Sequence, residues 1–132
     1  MRRVFLPPII LEYLAHAAER FCLDANALRE VITAGEPLRI TSAIRRLFQR
    51  LGACSLINQY GPTEAHVVTA WTGNGGAEAW PRVPPIGRTI NNARIYFLDG
   101  HLEPVPVRVP GELFIGGKCL ARGYLNRPEL TA

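Results

Sequence analysis

Asn58-Gln59-Tyr60-Gly61-Pro62-Thr63-Glu64 gathers two amides, a phenol, a hydroxyl and a carboxylate into one Gly/Pro-bent stretch, directly after the apolar run Cys54-Ser55-Leu56-Ile57. Three of these side chains suit a phosphorylated ligand. The Thr63 hydroxyl can donate to a phosphate oxygen, and the Glu64 carboxylate is a hard oxygen donor of the kind magnesium takes alongside substrate phosphates. Tyr60 offers a flat ring to pack on a base or sugar. Gly61 lets backbone approach closely, and Pro62 fixes φ so that hydroxyl and carboxylate are presented in one geometry. A plain strand-to-helix connection, with Thr63 or Asn58 as its cap, would use the same residue types. Local chemistry alone leaves both readings open.

A strand delivered into a polar turn is where open α/β sheets place ligands, outside the carboxyl ends of their strands. The elements that must hold the turn can be read from the pattern around it. Val4-Phe5-Leu6 reads as the end of a strand, and Pro7-Pro8 suits a helix start, where a missing N–H is harmless. Ile9, Ile10, Tyr13, Leu14, Ala17, Ala18 and Phe21 form a wide apolar stripe that predicts a helix to about Cys22 with that face covered. Val31-Ile32-Thr33 is a β-branched run stopped by Gly35-Glu36-Pro37. Ile40, Ile44, Leu47, Phe48 and Leu51 recur at helical spacing, with Thr41 or Ser42 as cap and Gly52 as stop.

The run 54–57 is then the strand that delivers the motif, and 67–71 reads as another strand. Strand and helix alternating in this order predict an α/β layer with parallel neighbours. Residues 72–79 read as a surface loop free to vary in length, and Pro81, Pro84 and Pro85 stiffen the passage to Arg88. Beyond Asn91 the signals are all β. The run 94–98 meets Asp99-Gly100, a hairpin signal whose return arm begins at His101, and Pro104, Pro106 and Pro110 confine that arm to an edge or a connector. Leu113-Phe114-Ile115 follows as a strand ended by Gly116-Gly117.

Composition narrows the class. A chain of 132 residues, 48% hydrophobic, is long enough for one core, burying roughly two thirds of its unfolded surface. The formal charge of +4 is spread among interleaved acidic residues, which suits a nucleotide and excludes a nucleic-acid footprint; Arg39, Arg45, Arg46 and Arg50 read as a solvated helix face. Cys22, Cys54 and Cys119 are isolated, as are His16, His66 and His101, so neither a disulfide framework nor zinc spacing is present. Reduced thiols in the cytoplasm are the simpler expectation. Met1-Arg2-Arg3 and the apolar residues after it have the outline of a short secretory leader, but Pro7, Pro8 and Glu12 interrupt it. No apolar stretch approaches the ~20 residues of a membrane span, so no membrane partner is expected.

The stretch 58–64 resembles the NxYGPTE motif of the adenylation domains of nonribosomal peptide synthetases, within the adenylate-forming superfamily of acyl-CoA synthetases and luciferases. Residues 111–117, running into Leu120-Ala121-Arg122-Gly123-Tyr124-Leu125, are similar to the GELxIGGxxLARGYL segment of the same domains. Two long motifs in the family's order are far more specific than either alone, and the likeness extends over 28–36 and 85–88. It covers a middle piece of a much larger domain. The resemblance implies that 1–84 is the C-terminal part of an α/β substrate- and nucleotide-binding subdomain and that 85–132 is a partial antiparallel β-barrel subdomain.

The resemblance also implies a chemistry. Such domains condense a carboxylic or amino acid with ATP to an acyl-adenylate and pyrophosphate, then pass the acyl group to the phosphopantetheine thiol of a peptidyl carrier protein. Glu64 would bind Mg2+, Thr63 would contact the α-phosphate, Tyr60 and Gly61 would lie at the adenine, and Asn58 with Gly35 and Glu36 would help recognise the base. Phe5, Ile32, Ala34, Gln59, Val67 and Val68 align with positions lining the acid's side-chain pocket, a mostly apolar set with one amide, which implies a medium-sized hydrophobic or weakly polar group. Glu112, Arg122 and Tyr124 are assigned structural duties in turns and ion pairs.

The family's phosphate loop, its amino-group aspartate, its ribose-binding segment and its C-terminal lysine are not in this sequence. The expectation is a fragment that is inactive alone and whose first partner is the remainder of the domain. A non-catalytic nucleotide-binding or interaction module of the same fold is the alternative. A fragment of an acyl-CoA synthetase is a third account, disfavoured by the LARGYL ending.

Overall fold

A computed structural model describes residues 3–21 and 27–131. The fold is α/β, as the alternation predicts. Two strand–helix–strand crossovers build its first half: β1 (Arg3–Phe5), α1 (Pro8–Phe21), β2 (Glu30–Thr33), α2 (Ser42–Leu51) and β3 (Ser55–Tyr60). The three strands are parallel, with Val4 opposite Val31 and Val31 opposite Leu56. Next come β4 (Thr69–Thr72) and β5 (Arg88–Thr89), completing a five-stranded sheet in the order β1-β2-β3-β4-β5.

Two expectations about this half are corrected. The strand expected over 67–71 begins at Thr69 and runs antiparallel to β3. Its direction follows from the link, because 61–68 is shorter than the dozen or more residues a parallel crossover requires. The strand expected to stop at Ile57 continues through Asn58, Gln59 and Tyr60, so half of the polar motif is ladder and the bend starts only at Gly61.

Both helices pack on one face of the sheet, and their ends show why they form. The Pro7 carbonyl oxygen accepts from Ile10 and Leu11 at 3.0 and 3.1 Å, opening α1. At α2, Thr41 holds extended backbone and accepts from the Ile44 N–H at 3.3 Å, while Gly52 at φ 60° caps the far end with its N–H on Phe48. The Thr41 hydroxyl also donates to Glu12 on α1 at 2.8 Å, so one side chain caps a helix and ties it to its neighbour. The core joins Leu11, Ala15 and Ala18 of α1 to Val31, Leu56, Ile44, Leu47 and Phe48. Burying one such large apolar side chain contributes about 1.5–3 kcal/mol.

The stripe expected to be covered on α1 is covered only in part, at Leu14 and Ala18. Leu11, Ala15 and Ala18 make the contact, whereas Ile9, Ile10, Tyr13 and Phe21 are exposed. Small residues let α1 sit close to the sheet, and its outer apolar face is left without cover among the described residues. Cys22, the expected end of this helix, lies outside them.

The segment expected as a surface loop after β4 is largely exposed, and it is also tied to the core at both ends. Gly73 donates to Leu56 at 2.9 Å, and Trp80 is buried edge-on to Phe48 and Trp71, with ring centroids 5.1 and 6.1 Å away. Arg45 donates to the carbonyls of Ala77, of Glu78 at 3.1 Å and of Trp80 at 2.7 Å, closing the 3-10 turn Ala77–Ala79 against α2. Arg46 pairs with Glu19, and Arg50 donates to the Ala18 carbonyl at 2.8 Å. Three of the four arginines expected on a solvated face therefore serve the fold.

Beyond β5, β6 (Ala93–Leu98) and β7 (Glu112–Gly117) form a two-stranded antiparallel sheet. Asp99 does turn the chain, accepting through Oδ1 from His101 at 2.8 Å and Glu103 at 3.0 Å. The return arm gives only an isolated bridge between Leu98 and Pro104, because prolines withhold the donors a ladder needs. The arm is thus the connector, and β7 takes the place beside β6.

Candidate functional site

At the carboxyl ends of β2 and β3 lies a cavity of about 390 Å³ lined by residues from three segments. Gly35, Glu36, Pro37 and Leu38 form one wall, Asn58, Gln59, Tyr60 and Gly61 a second, and Val83, Pro84 and Ile86 a third. Gly35 sits at φ +93°, a conformation that turns the chain out of β2 and that a side chain would strain. The third wall is fixed from below by three hydrogen bonds. Ile40 donates to Arg82 at 2.8 Å, the Asn58 amide to Pro85 at 3.3 Å, and the buried Thr69 hydroxyl to Ile86 at 2.7 Å.

This wall is what the sequence reading missed. The closely spaced prolines of 81–85 signalled stiffness, and stiffness is what a wall needs, but nothing local said where the segment would lie. Of the base-recognition set, Gly35, Glu36, Asn58, Tyr60 and Gly61 all meet at the cavity. Thr63 and Glu64 do not line it. They stand exposed on the turn just beyond Gly61, which the Ala65 N–H closes on Pro62 at 3.1 Å and which His66 leaves at φ 54°. Gly61 owes its identity to that turn: a Cβ there would fall 1.5 Å from the His66 carbonyl oxygen.

Glu64 is held by a segment far away in the chain. The Tyr124 hydroxyl donates to its carboxylate, and the Ala121 N–H donates to its backbone carbonyl at 2.7 Å. The Tyr124 hydroxyl, followed by Glu64's own backbone N–H, keeps the carboxyl below its usual range. The same bond raises the Tyr124 phenol.

The residues aligned with an acid pocket form a second group. Strand register puts Phe5, Ile32, Ile57, Gln59 and Ala70 on the face opposite the helices, while Val31, Thr33, Leu56, Asn58 and Trp71 share the helix side. Phe5 is 66% exposed, Ile32 and Val68 are buried, Gln59 and Val67 are half-buried, and Ala34 is exposed just past the end of β2. Only Gln59 of that set reaches the cavity lining. Beside Asn58 in the register, the Thr33 hydroxyl is buried with no hydrogen-bond partner.

A family model described as AMP-binding enzyme matches residues 3–125. Tyrocidine synthase 2 of Brevibacillus parabrevis is 40% identical over 127 residues, which are 96% of this chain and 4% of that protein. Phosphinothricin tripeptide synthetase PhsB of Streptomyces viridochromogenes is 46% identical over 130 residues, 97% of this chain and 10% of its own length. Malpibaldin synthetase of Mortierella alpina is 48% identical over 108 residues, 81% of this chain and 2% of its length. The chain thus spans a small part of each. Among solved structures, the nonribosomal peptide synthetase FmoA3 superposes on all of this chain with a TM-score of 0.83 at 28% identity, over 14% of its own chain. VinN superposes on 99% of it with a TM-score of 0.84 at 22% identity, over 32% of its own chain, a likeness of fold.

Proposed function

The chain belongs to the AMP-binding enzyme family, and from that premise we propose that it forms the central part of an acid-activating site, in which a carboxylic or amino acid condenses with ATP to an acyl-adenylate. The observation carrying this reading is the cavity of about 390 Å³ that joins Gly35, Glu36, Asn58, Tyr60 and Gly61 immediately before the exposed Thr63-Glu64 pair. The cavity is the right size for a base and part of a sugar, and Tyr60 supplies a flat wall. Thr63, exposed on the turn just beyond the cavity, would donate to the α-phosphate. The attacking carboxylate and that phosphate are both anionic, so positioning and charge neutralisation must supply most of the rate. No covalent nucleophile from the protein is needed.

Magnesium fits the donor set through Glu64 alone. Among the described residues no group of three or more His, Cys, Asp or Glu could hold a metal ion, but magnesium commonly takes one or two carboxylates together with substrate phosphates and water. When bound it would neutralise phosphate charge; Glu64, exposed and ionised, is the residue that would hold it. Phe5, Ile32 and Gln59, on the opposite sheet face, together with Ala34, Val67 and Val68, would line the place for the acid's side chain. The same reading assigns 1–84 to the α/β subdomain and 85–132, with β6 and β7, to part of a β-barrel, the passage between them including β5, which pairs with β4 in the first sheet. It takes the remainder of the domain and a carrier protein's phosphopantetheine thiol as partners.

The test grafts residues 3–125 in place of the matching segment of an active adenylation domain. Acid-dependent pyrophosphate exchange should persist in the chimaera and fall by two or more orders of magnitude in Glu64→Gln, the size typical of a lost electrostatic stabiliser. The 132-residue chain alone should show no exchange with any amino acid and should bind ATP only weakly. Exchange that survives Glu64→Gln intact would overturn the reading.

A further inference from the structure

Glu64 carries its carboxylate on an exposed turn, where a free side chain would sample several rotamers and lose that freedom on binding a cation. Here the side chain is already held. The Tyr124 hydroxyl donates to Oε1, and the Ala121 N–H fixes the same residue's backbone carbonyl at 2.7 Å. A carboxylate has about four lone-pair sites, so one phenol leaves Oε2 and most of the accepting capacity open.

Tyr124 is itself seated by its own segment. Its N–H donates to the Thr131 hydroxyl at 3.0 Å, that hydroxyl donates to the Arg127 carbonyl at 3.2 Å, and the Arg127 N–H closes on the Tyr124 carbonyl at 3.2 Å. Gly123, at φ +139°, is where the chain passes against Thr131: a Cβ there would lie 2.3 Å from the Thr131 methyl. The segment after β7 is therefore closed on itself and points one phenol at one carboxylate.

We propose that Tyr124 is a positioning residue: it holds Glu64 through one oxygen so that the other is preset to take a hard divalent cation carried by a nucleotide phosphate. This rests on the reading of Glu64 as the metal-seeking carboxylate. Tyr124 touches neither cation nor nucleotide, and its effect passes entirely through Glu64.

The test is a double-mutant cycle on the 132-residue chain, using amide chemical shifts to measure weak affinity for ATP with Mg2+ and for ATP with a chelator. The ratio of the two affinities is the readout, because it cancels effects on the base cavity. The wild-type ratio should exceed one, Glu64→Gln should collapse it to one, and Tyr124→Phe should lower it by about threefold to tenfold. In the Glu64→Gln background, Tyr124→Phe should change nothing further. Should Tyr124→Phe lower the ratio equally in both backgrounds, or leave it untouched while Glu64→Gln collapses it, the positioning role is overturned and the reading of Glu64 stands. A wild-type ratio of one overturns both. Protection of the Ala121 amide against exchange reports whether the segment stays docked, and Thr131→Val, which removes the seat without touching the phenol, should reproduce the smaller effect of Tyr124→Phe.

Discussion

At the scale of single residues, Gly61 is the least replaceable position near the site. A Cβ would overlap the His66 carbonyl at 1.5 Å, backbone against backbone, so the turn carrying Thr63 and Glu64 must open. Gly61→Ala should cost about 3 kcal/mol by urea unfolding, at the upper end for forced overpacking, and should abolish the ATP-induced shifts at Gly35 and Tyr60. The sequence marked this glycine for a different reason, close approach to a ligand, since the clash involves a residue whose position depends on the bend itself. The hydroxyl and carboxylate of Thr63 and Glu64 were visible in the sequence without local chemistry deciding between a ligand site and a capped turn, and Tyr124 as the holder of Glu64 was not visible at all, because only the fold brings the two together. Cys54 illustrates burial acting on one thiol. Desolvation pushes its pKa from 9.0 up to about 11. The folded-state value lies above the unfolded one, so this stabilisation is complete below about pH 9 and is lost as pH rises through about 11. Peptide-resolved alkylation at pH 8 should label the half-buried Cys119 well before Cys54.

At the scale of elements, Thr41 is where the two helices depend on one hydroxyl. Thr41→Ala removes the cap on Ile44 and the donor to Glu12 together, and should lower stability by about 1–2 kcal/mol in urea unfolding. Thr41→Ser should recover most of it. Both helices, their caps and the three parallel strands were readable because apolar spacing, Pro7-Pro8 and Gly52 act within a few residues. The direction of β4 was not, since it depends on β3 running on to Tyr60 and leaving a link too short to cross over. The pairing of β6 with β7 was hidden for a related reason. Asp99-Gly100 makes the turn it advertises, yet the chain after it carries prolines where a partner strand needs donors.

At the scale of the whole molecule, the apolar surface is distributed unevenly. Ile9, Ile10, Tyr13 and Phe21 on α1 and Phe5 on the open sheet face are all exposed, an apolar display of the kind that monomeric proteins seldom leave to water. The chain alone should bind a hydrophobic dye and self-associate with rising concentration. Ile9→Gln with Tyr13→Gln should weaken both while changing stability by less than about 1 kcal/mol, since neither side chain belongs to the core. The core follows from the sequence through Val31, Ile44, Phe48 and Leu56, whereas Leu11 and Ala15 lie off the stripe expected to be covered on α1, because periodicity shows that a face is apolar without showing what meets it. The mixed character of the sheet has a kinetic side as well. On one flank β3 meets β4 across a short neighbouring link, while on the other it waits for two helices to fold before β2 and β1 can align. Closing the near partner sacrifices less chain entropy, so during refolding the β3–β4 ribbon should gain exchange protection first and serve as the template on which the slower parallel half of the layer is zipped.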